Sequence, residues 1–163
     1  MAHETSTTKS GEVRAQEITD ANAEFVAFIA TCTDEEWGRK TAAEAWPVNV
    51  VAHHIAWGHE ISAGWIRIIR AGENVPGSPE AHDAANNAKA AEVANITRAD
   101  VILLANRNVG RLAELLRSLA ELDLSKSTAF GPGGGQPMSL DQLAGSRRHL
   151  DRHLGSIRLA VGR

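Results

Sequence analysis

His149 and His153 lie four residues apart near the C-terminal end of the chain, and His54 stands far upstream in an apolar run flanked by Trp46 and Trp57. Imidazoles at i and i+4 project from one face of a helix within reach of a single ion, and a third imidazole from another helix would complete a facial triad. Three neutral histidines leave at least one coordination position open, which is the arrangement of a catalytic rather than a structural zinc-type site. The chemistry expected there is activation of a metal-held water or thiol. Other histidine chemistries lack their partners: no Glu stands three residues before any His, as a carboxylate di-iron bundle requires, and His59-Glu60 has no second His to complete HExxH.

Positioning such a triad requires helices. Val13, Ile18, Ala21, Phe25, Phe28, Ile29 and Cys32 recur at helical spacing and predict a first helix. Thr33 to Glu36 reads as a capping box for one short turn through Trp37, followed by a loop ending at Trp46-Pro47. The second long helix starts there, with Val51, Ile55, Gly58, Ile61 or Ser62, Trp65, and Ile68 or Ile69 as its inward stripe, and stops near Gly72. His54 falls within this stripe and His53 is turned away by about 100°. The segment from Glu80 to Asn95 predicts a shorter or irregular helix. Thr97 to Asp100 caps a third long helix bearing Val101, Leu104, Val109, Leu112, Leu115, Leu116 and Leu119. Gly131 to Gly135 lies in a stretch without the Lys-Ser/Thr of a phosphate cradle and predicts a mobile loop over a pocket. Ser139 to Gln142 is a second capping box, opening a last helix whose stripe is Leu143, Leu150, Leu154, Ile157 and Val161, with His149 and His153 on its edge.

The 163 residues fit one domain, expected over residues 11–163 after a flexible tail at residues 1–10; 43% are hydrophobic, Tyr is absent and Phe is scarce, which favours an all-α four-helix bundle over a sandwich or barrel. The net charge of −3 and the scattered cations give no footprint for nucleic acid. Arg147, Arg148 and Arg152 read as a solvated face from which one side chain could reach an anionic substrate at the pocket rim. No apolar stretch approaches a membrane span, the leading residues carry no apolar export segment, and the single Cys32 predicts a small core residue, so a cytoplasmic location is expected.

The string from Trp46 through Pro47, Val48 and Asn49 to His54 resembles the second-helix signature of the DinB/YfiT-like superfamily, in which a Trp precedes a metal His by eight residues. His149-Leu-Asp-Arg-His153 resembles the closing HxxxH of that family, and the segments at Asp83 to Asn86 and Thr97 to Asp100 resemble its middle part. Pro47 stands where Ser or Thr would cap the helix, which leaves the histidine spacing intact. The resemblance spans roughly residues 12 to 161. It implies a four-helix bundle with a long crossover connection, Zn or Ni held by His54, His149 and His153, and a homodimer. It also implies either thiol-dependent S-transfer or isomerisation, with a low-molecular-weight thiol such as mycothiol, or metal-dependent hydrolysis of a small molecule. Thiol transfer is the first expectation, and a non-catalytic metal- or ligand-binding bundle is the rival. Asp83 and Asn86 are expected to support the ligands, and Asp151, Asp83 and Glu60 are candidate bases. The dimer is expected to pack through Trp57 and Ile66 on the second helix, both off the inward stripe.

Overall fold

Capping chemistry sets where the helices begin. In the computed structural model, which describes residues 9–144 and 147–163, Ser10 caps α1 (Gly11–Ala30) by accepting from the Val13 N–H. Thr33 and Glu36 form the reciprocal box that opens α2 (Asp34–Trp37). The start of α3 (Val48–Arg70) has no side-chain cap at Pro47; its first amide instead donates to the Arg39 carbonyl at 2.9 Å. Ser78 caps α4 (Pro79–Glu92), with proline in the first turn, and Thr97 caps α5 (Arg98–Arg117). The segment expected to be a shorter or irregular helix is the shorter one, a regular helix of 14 residues against 20 to 23 for α1, α3 and α5. Of the tail expected at residues 1–10, residues 1–8 lie outside the described residues.

After the single turn α6 (Glu121–Leu124) come β1 (Ser127–Ala129) and β2 (Pro137–Ser139), an antiparallel hairpin. The glycine run is therefore the tip of a hairpin. Gly134 and Gly135 take positive φ of 73° and 79°, and Gly131 donates its N–H to the Val75 carbonyl at 2.8 Å. A Cβ on Gly131 would lie 2.4 Å from the Gly77 carbonyl oxygen, so that contact requires glycine. The Ser139–Gln142 box is present, but it opens only α7 (Leu140–Ala144). The continuous last helix expected from that cap is thus divided, and the final helix α8 runs Arg148–Val161.

Cross-helix pairs fix the directions. Glu12 with Arg117 and Asn22 with Asn106 make α1 and α5 antiparallel. Asn108 with Ala56 and Ser118 with Arg70 make α3 and α5 parallel. Glu24 with Arg158 and Thr31 with Arg163 make α1 and α8 parallel, whereas His54 beside His153 and Gly58 beside His149 make α3 and α8 antiparallel. The bundle is accordingly up-down-down-up, with α1 and α3 on one diagonal and α5 and α8 on the other. Two consecutive helices that run in the same direction need a return path along their whole length. Residues 71–97 supply it, and α4 forms most of that crossover, lying antiparallel along α3 with His82 against Trp65 and Lys89 against Trp57.

Phe25, Ile29, Ile55, Ile66, Leu116, Leu140 and Ile157 are fully buried and form the centre of the core, each contributing roughly 1.5–3 kcal/mol by removal from water. Cys32 is buried, and that burial pushes its thiol pKa up. α3 differs from expectation in register. Val51, Ile55 and Ile69 face the core as expected, joined by Ala52, Ala56, Ala63 and Ile66, while Gly58, Ile61, Ser62 and Trp65 are only half-buried and face elsewhere. Ile66 is 1% exposed, so it is not available to the dimer interface assigned to it. A polar layer crosses the core: His59 donates to Asn22 Oδ1 (3.1 Å), and Asn22 donates in turn to Asn106 (3.1 Å). Burial pushes His59 down to about 4, which keeps the ring neutral.

Candidate metal centre

The half-buried face of α3 and the edge of α8 meet at three imidazoles. The nitrogens of His54, His149 and His153 all lie within 4.8 Å of one another, and the ring centroids are 4.6–4.9 Å apart. Nε2 of His54 and Nε2 of His149 are 3.0 Å apart. Two nitrogens each about 2.0–2.1 Å from one ion are separated by roughly 3 Å, so this pair already has the spacing of two ligands. His53, the neighbour of His54, stacks on Trp57 with centroids 6.3 Å apart and takes no part in the cluster.

Burial keeps the donor set unprotonated. Desolvation, reinforced by the positive potential of neighbouring His153, pushes His54 down to about 4 and His149 down to about 2. Burial also lowers His153, opposed by its carboxylate partner. That partner is Glu44: His153 Nδ1 donates to Glu44 Oε1 at 2.7 Å, while Nε2 accepts from Arg152 at 3.1 Å. The proton is therefore on Nδ1 and the lone pair on Nε2, the tautomer that a ligand to an ion must have. Burial works against ionisation of Glu44, but hydrogen bonds from Ser156 and His153 outweigh it and hold the carboxyl below the usual range. Neutral imidazoles, one of them oriented by a carboxylate, suit a divalent ion of the zinc or nickel kind.

Glu44 carries the supporting role that the sequence assigned elsewhere. It sits in the loop between α2 and α3, closed at its base by the Thr41 amide donating to the Trp46 carbonyl at 2.8 Å. Ala45 takes φ 58° directly after it, a left-handed conformation that a non-glycine residue adopts at a cost of about 1–2 kcal/mol. That turn aims the carboxylate at α8. Of the residues expected in support, Asp83 is exposed, and Asn86 faces the cavity beside the triad without bonding to a ligand. None of the three candidate bases reaches the cluster. Asp151 is paired with Arg147 at 2.8 Å, Asp83 faces solvent, and Glu60 lines a separate cavity between α3 and α5 with Arg67 and Arg111.

Beside His54 and His149 opens a cavity of about 120 Å³. α3 forms one wall with Trp57, Ile61, Ser62 and Trp65, α4 forms the opposite wall with His82 and Asn86, and Leu143 of α7 closes the end. The glycine run expected over this pocket is absent from its lining; it packs on α4, and the neighbouring Phe130 ring meets Trp65 edge-on at 4.8 Å.

Gly58 determines whether the His149 ring fits. A Cβ there would lie 2.8 Å from Cε1 and 3.1 Å from Nδ1 of His149. Alanine in mid-helix is favoured over glycine by up to about 1 kcal/mol. The Gly58→Ala protein should therefore keep or raise its metal-free melting temperature, and if the His149 ring is a ligand it should bind metal about tenfold more weakly. Titration of both proteins with a competing chelator checks this; equal affinities would show that the contact is slack.

Comparison with known proteins follows the same outline. The DinB superfamily matches residues 17–157. Two solved folds resemble the chain at 17% sequence identity. YfiT from Bacillus subtilis, described as a probable metal-dependent hydrolase with an unusual four-helix bundle topology, superposes with a TM-score of 0.73 over 99% of this chain and 93% of its own. The mycothiol-dependent maleylpyruvate isomerase and a point mutant of it each superpose with a TM-score of 0.70 over 91% of this chain, which spans 61% of theirs. At such identity the likeness shows the fold. Comparison with curated proteins finds no match. Among the described residues no helix is long and apolar enough to cross a membrane.

Proposed function

Because the chain belongs to the DinB superfamily, we propose that it is a metal-dependent enzyme that activates a small nucleophile, with thiol transfer to a small molecule as the leading reaction. The observation that carries this reading is the convergence of three neutral imidazoles beside an open cavity. A divalent ion of the zinc or nickel type would supply a Lewis acid that lowers the pKa of a water or thiol toward neutrality. His54 and His149 present their Nε2 atoms, and Glu44 holds the proton of His153 on Nδ1, which leaves a lone pair on Nε2; Arg152, which donates to that atom, would have to turn away for an ion to bind there. Trp57 and Trp65 keep the cavity apolar, which strengthens any electrostatic interaction within it.

Among the described residues that line the cavity, His82 on the wall facing the triad is an imidazole that could carry a proton in either thiol transfer or hydrolysis. Attack by water on an amide or ester needs a group that carries a proton to the leaving atom. A thiol such as mycothiol attacks as the thiolate, and the proton it gives up must likewise pass to such a carrier or to solvent before it reaches the product. Homodimer formation belongs to the same reading. With Ile66 in the core, its apolar contacts would come from side chains exposed on the long helices, such as Leu103 and Leu159.

The test uses untagged protein loaded with zinc, nickel or cobalt. Thiol-dependent consumption of an electrophile that stops on chelation, together with a change in the cobalt spectrum when thiol is added, is the expected result. Stoichiometric metal with no spectral response to thiol, and with ester or amide hydrolysis in its place, would move the assignment to hydrolase. A metal-loaded protein with neither activity would make the bundle a non-catalytic binder.

A further inference from the structure

We propose that the cavity between α3 and α4 recognises a small, flat, uncharged molecule whose hydrogen-bonding substituent is read by His82 and Asn86, with its reacting end at the histidine triad. This rests on the reading of the triad as the reacting end, and adds to it the class of substrate.

Size is the first constraint. A dry cavity of about 150 Å³ accommodates a guest the size of benzene, and this one measures about 120 Å³ with an open side. One six-membered ring with a short substituent is therefore the scale. Shape is the second constraint. Trp57 and Trp65 lie two turns apart on the same face of α3, and the Trp65 ring is held from two sides, edge-on by Phe130 at 4.8 Å and at a tilt by His82 at 5.5 Å. Rigid indoles bordering a narrow space select a planar, polarisable body over a branched aliphatic one.

Charge is the third constraint and the most selective. Among the described residues lining the cavity there is no Asp, Glu, Lys or Arg. Lys89, the cation beside Trp57, is committed to Glu92 at 2.7 Å, and Arg152 donates to His153. In the metal-free cavity an ionised group would be desolvated without a partner, which is strongly unfavourable, and an ion at the triad would offer one only at the reacting end, away from His82 and Asn86. His82 and Asn86, by contrast, are separated by one helical turn on the inner face of α4, and among the described residues neither side chain bonds to another protein group. An amide side chain and an imidazole offer both donors and acceptors, which suits a neutral carbonyl, amide or hydroxyl. Their one-turn spacing allows both to reach one substituent.

Benzamide and benzoate separate the alternatives, because they share ring and size and differ in charge. Binding is followed by tryptophan fluorescence and by protein NMR on the full chain, both metal-loaded and chelator-treated. Benzamide is expected to bind saturably in both states, and benzoate about tenfold more weakly in the metal-free protein. His82→Ala and Asn86→Ala should each weaken benzamide about fivefold, and Ser62→Met, which fills the cavity, should abolish its binding. These are half-exposed positions, so helical circular dichroism should be unchanged. Benzoate binding as tightly as benzamide in the metal-free protein, or benzamide binding that ignores both α4 substitutions and Ser62→Met, would overturn the proposal. A protein that binds benzamide as described but takes up no metal would instead refute the metal reading and leave the pocket assignment standing.

Discussion

His54→Ala, His149→Ala and His153→Ala should each reduce bound zinc or nickel from about one ion per chain to none retained through gel filtration, while His53→Ala keeps it. The contrast follows from geometry: the first three contribute nitrogens to one cluster, and His53 faces Trp57 instead. Loss of one ligand leaves two imidazoles, too few to hold an ion against dilution. The bundle should survive, because its core is formed mainly by Phe25, Ile29, Ile55, Leu116 and Ile157, which these substitutions leave in place. Thermal melts supply a second readout. Metal at about a hundred times its Kd stabilises the folded state by about 2.7 kcal/mol, which for a chain of this length is a rise of roughly 5–10 °C. Wild-type protein and His53→Ala should show that rise and the three ligand variants should not. Full metal content in any of the three would falsify the assignment.

Glu44→Gln should weaken metal binding about 10- to 100-fold without unfolding the protein. The glutamine oxygen can still accept from His153 Nδ1, so packing is preserved, but the negative charge that favours electron donation through the ring is removed. Asp83→Asn serves as the control: it also deletes a carboxylate from a segment near the site, but Asp83 is exposed and should have no effect. If the two variants bind metal equally well, the Glu44 contact with His153 is structural only. Ser156→Ala should show a smaller loss in the same direction, since it removes one of the bonds that hold Glu44 in place.

The convergence of three imidazoles is legible in part, because the 3.6-residue period carries the pair on α8. An i, i+4 pair needs only a helix, whereas His54 is told from His53 by a stripe with Gly58, Ile61 and Trp65 that faces the cavity and not, as expected, the core. Glu44 was not legible. It lies in an irregular loop, aimed by a left-handed alanine, and no spacing rule links residue 44 to residue 153. The α3 register was misread for a different reason: the helix is covered on two sides, by the core and by the crossover. The core side is rich in alanine, at positions 52, 56 and 63, so the larger Ile61 and Trp65 on the cavity side dominated the apolar pattern and Ile66 was assigned to the outside. The hairpin escaped because strands of three residues, Ser-Thr-Ala and Pro-Met-Ser, are too short to show alternation. The break between α7 and α8 escaped because a capping box marks a beginning and says nothing about how far the helix runs.

The crossover helix α4 has no fully buried residue, although it supplies a whole wall of the cavity. Substitutions on it therefore have little effect on folding, generally within about 0.5 kcal/mol for surface positions, yet each one reshapes what the cavity admits. The three imidazoles sit on α3 and α8, helices that also carry much of the core. On the proposed reading, selection would act on the two walls almost independently, exchanging the molecule recognised while the triad is inherited unchanged. A scaffold arranged this way diversifies its substrates faster than its chemistry, and libraries randomised at residues 82 and 86 should yield folded proteins with new ligand preferences at high frequency.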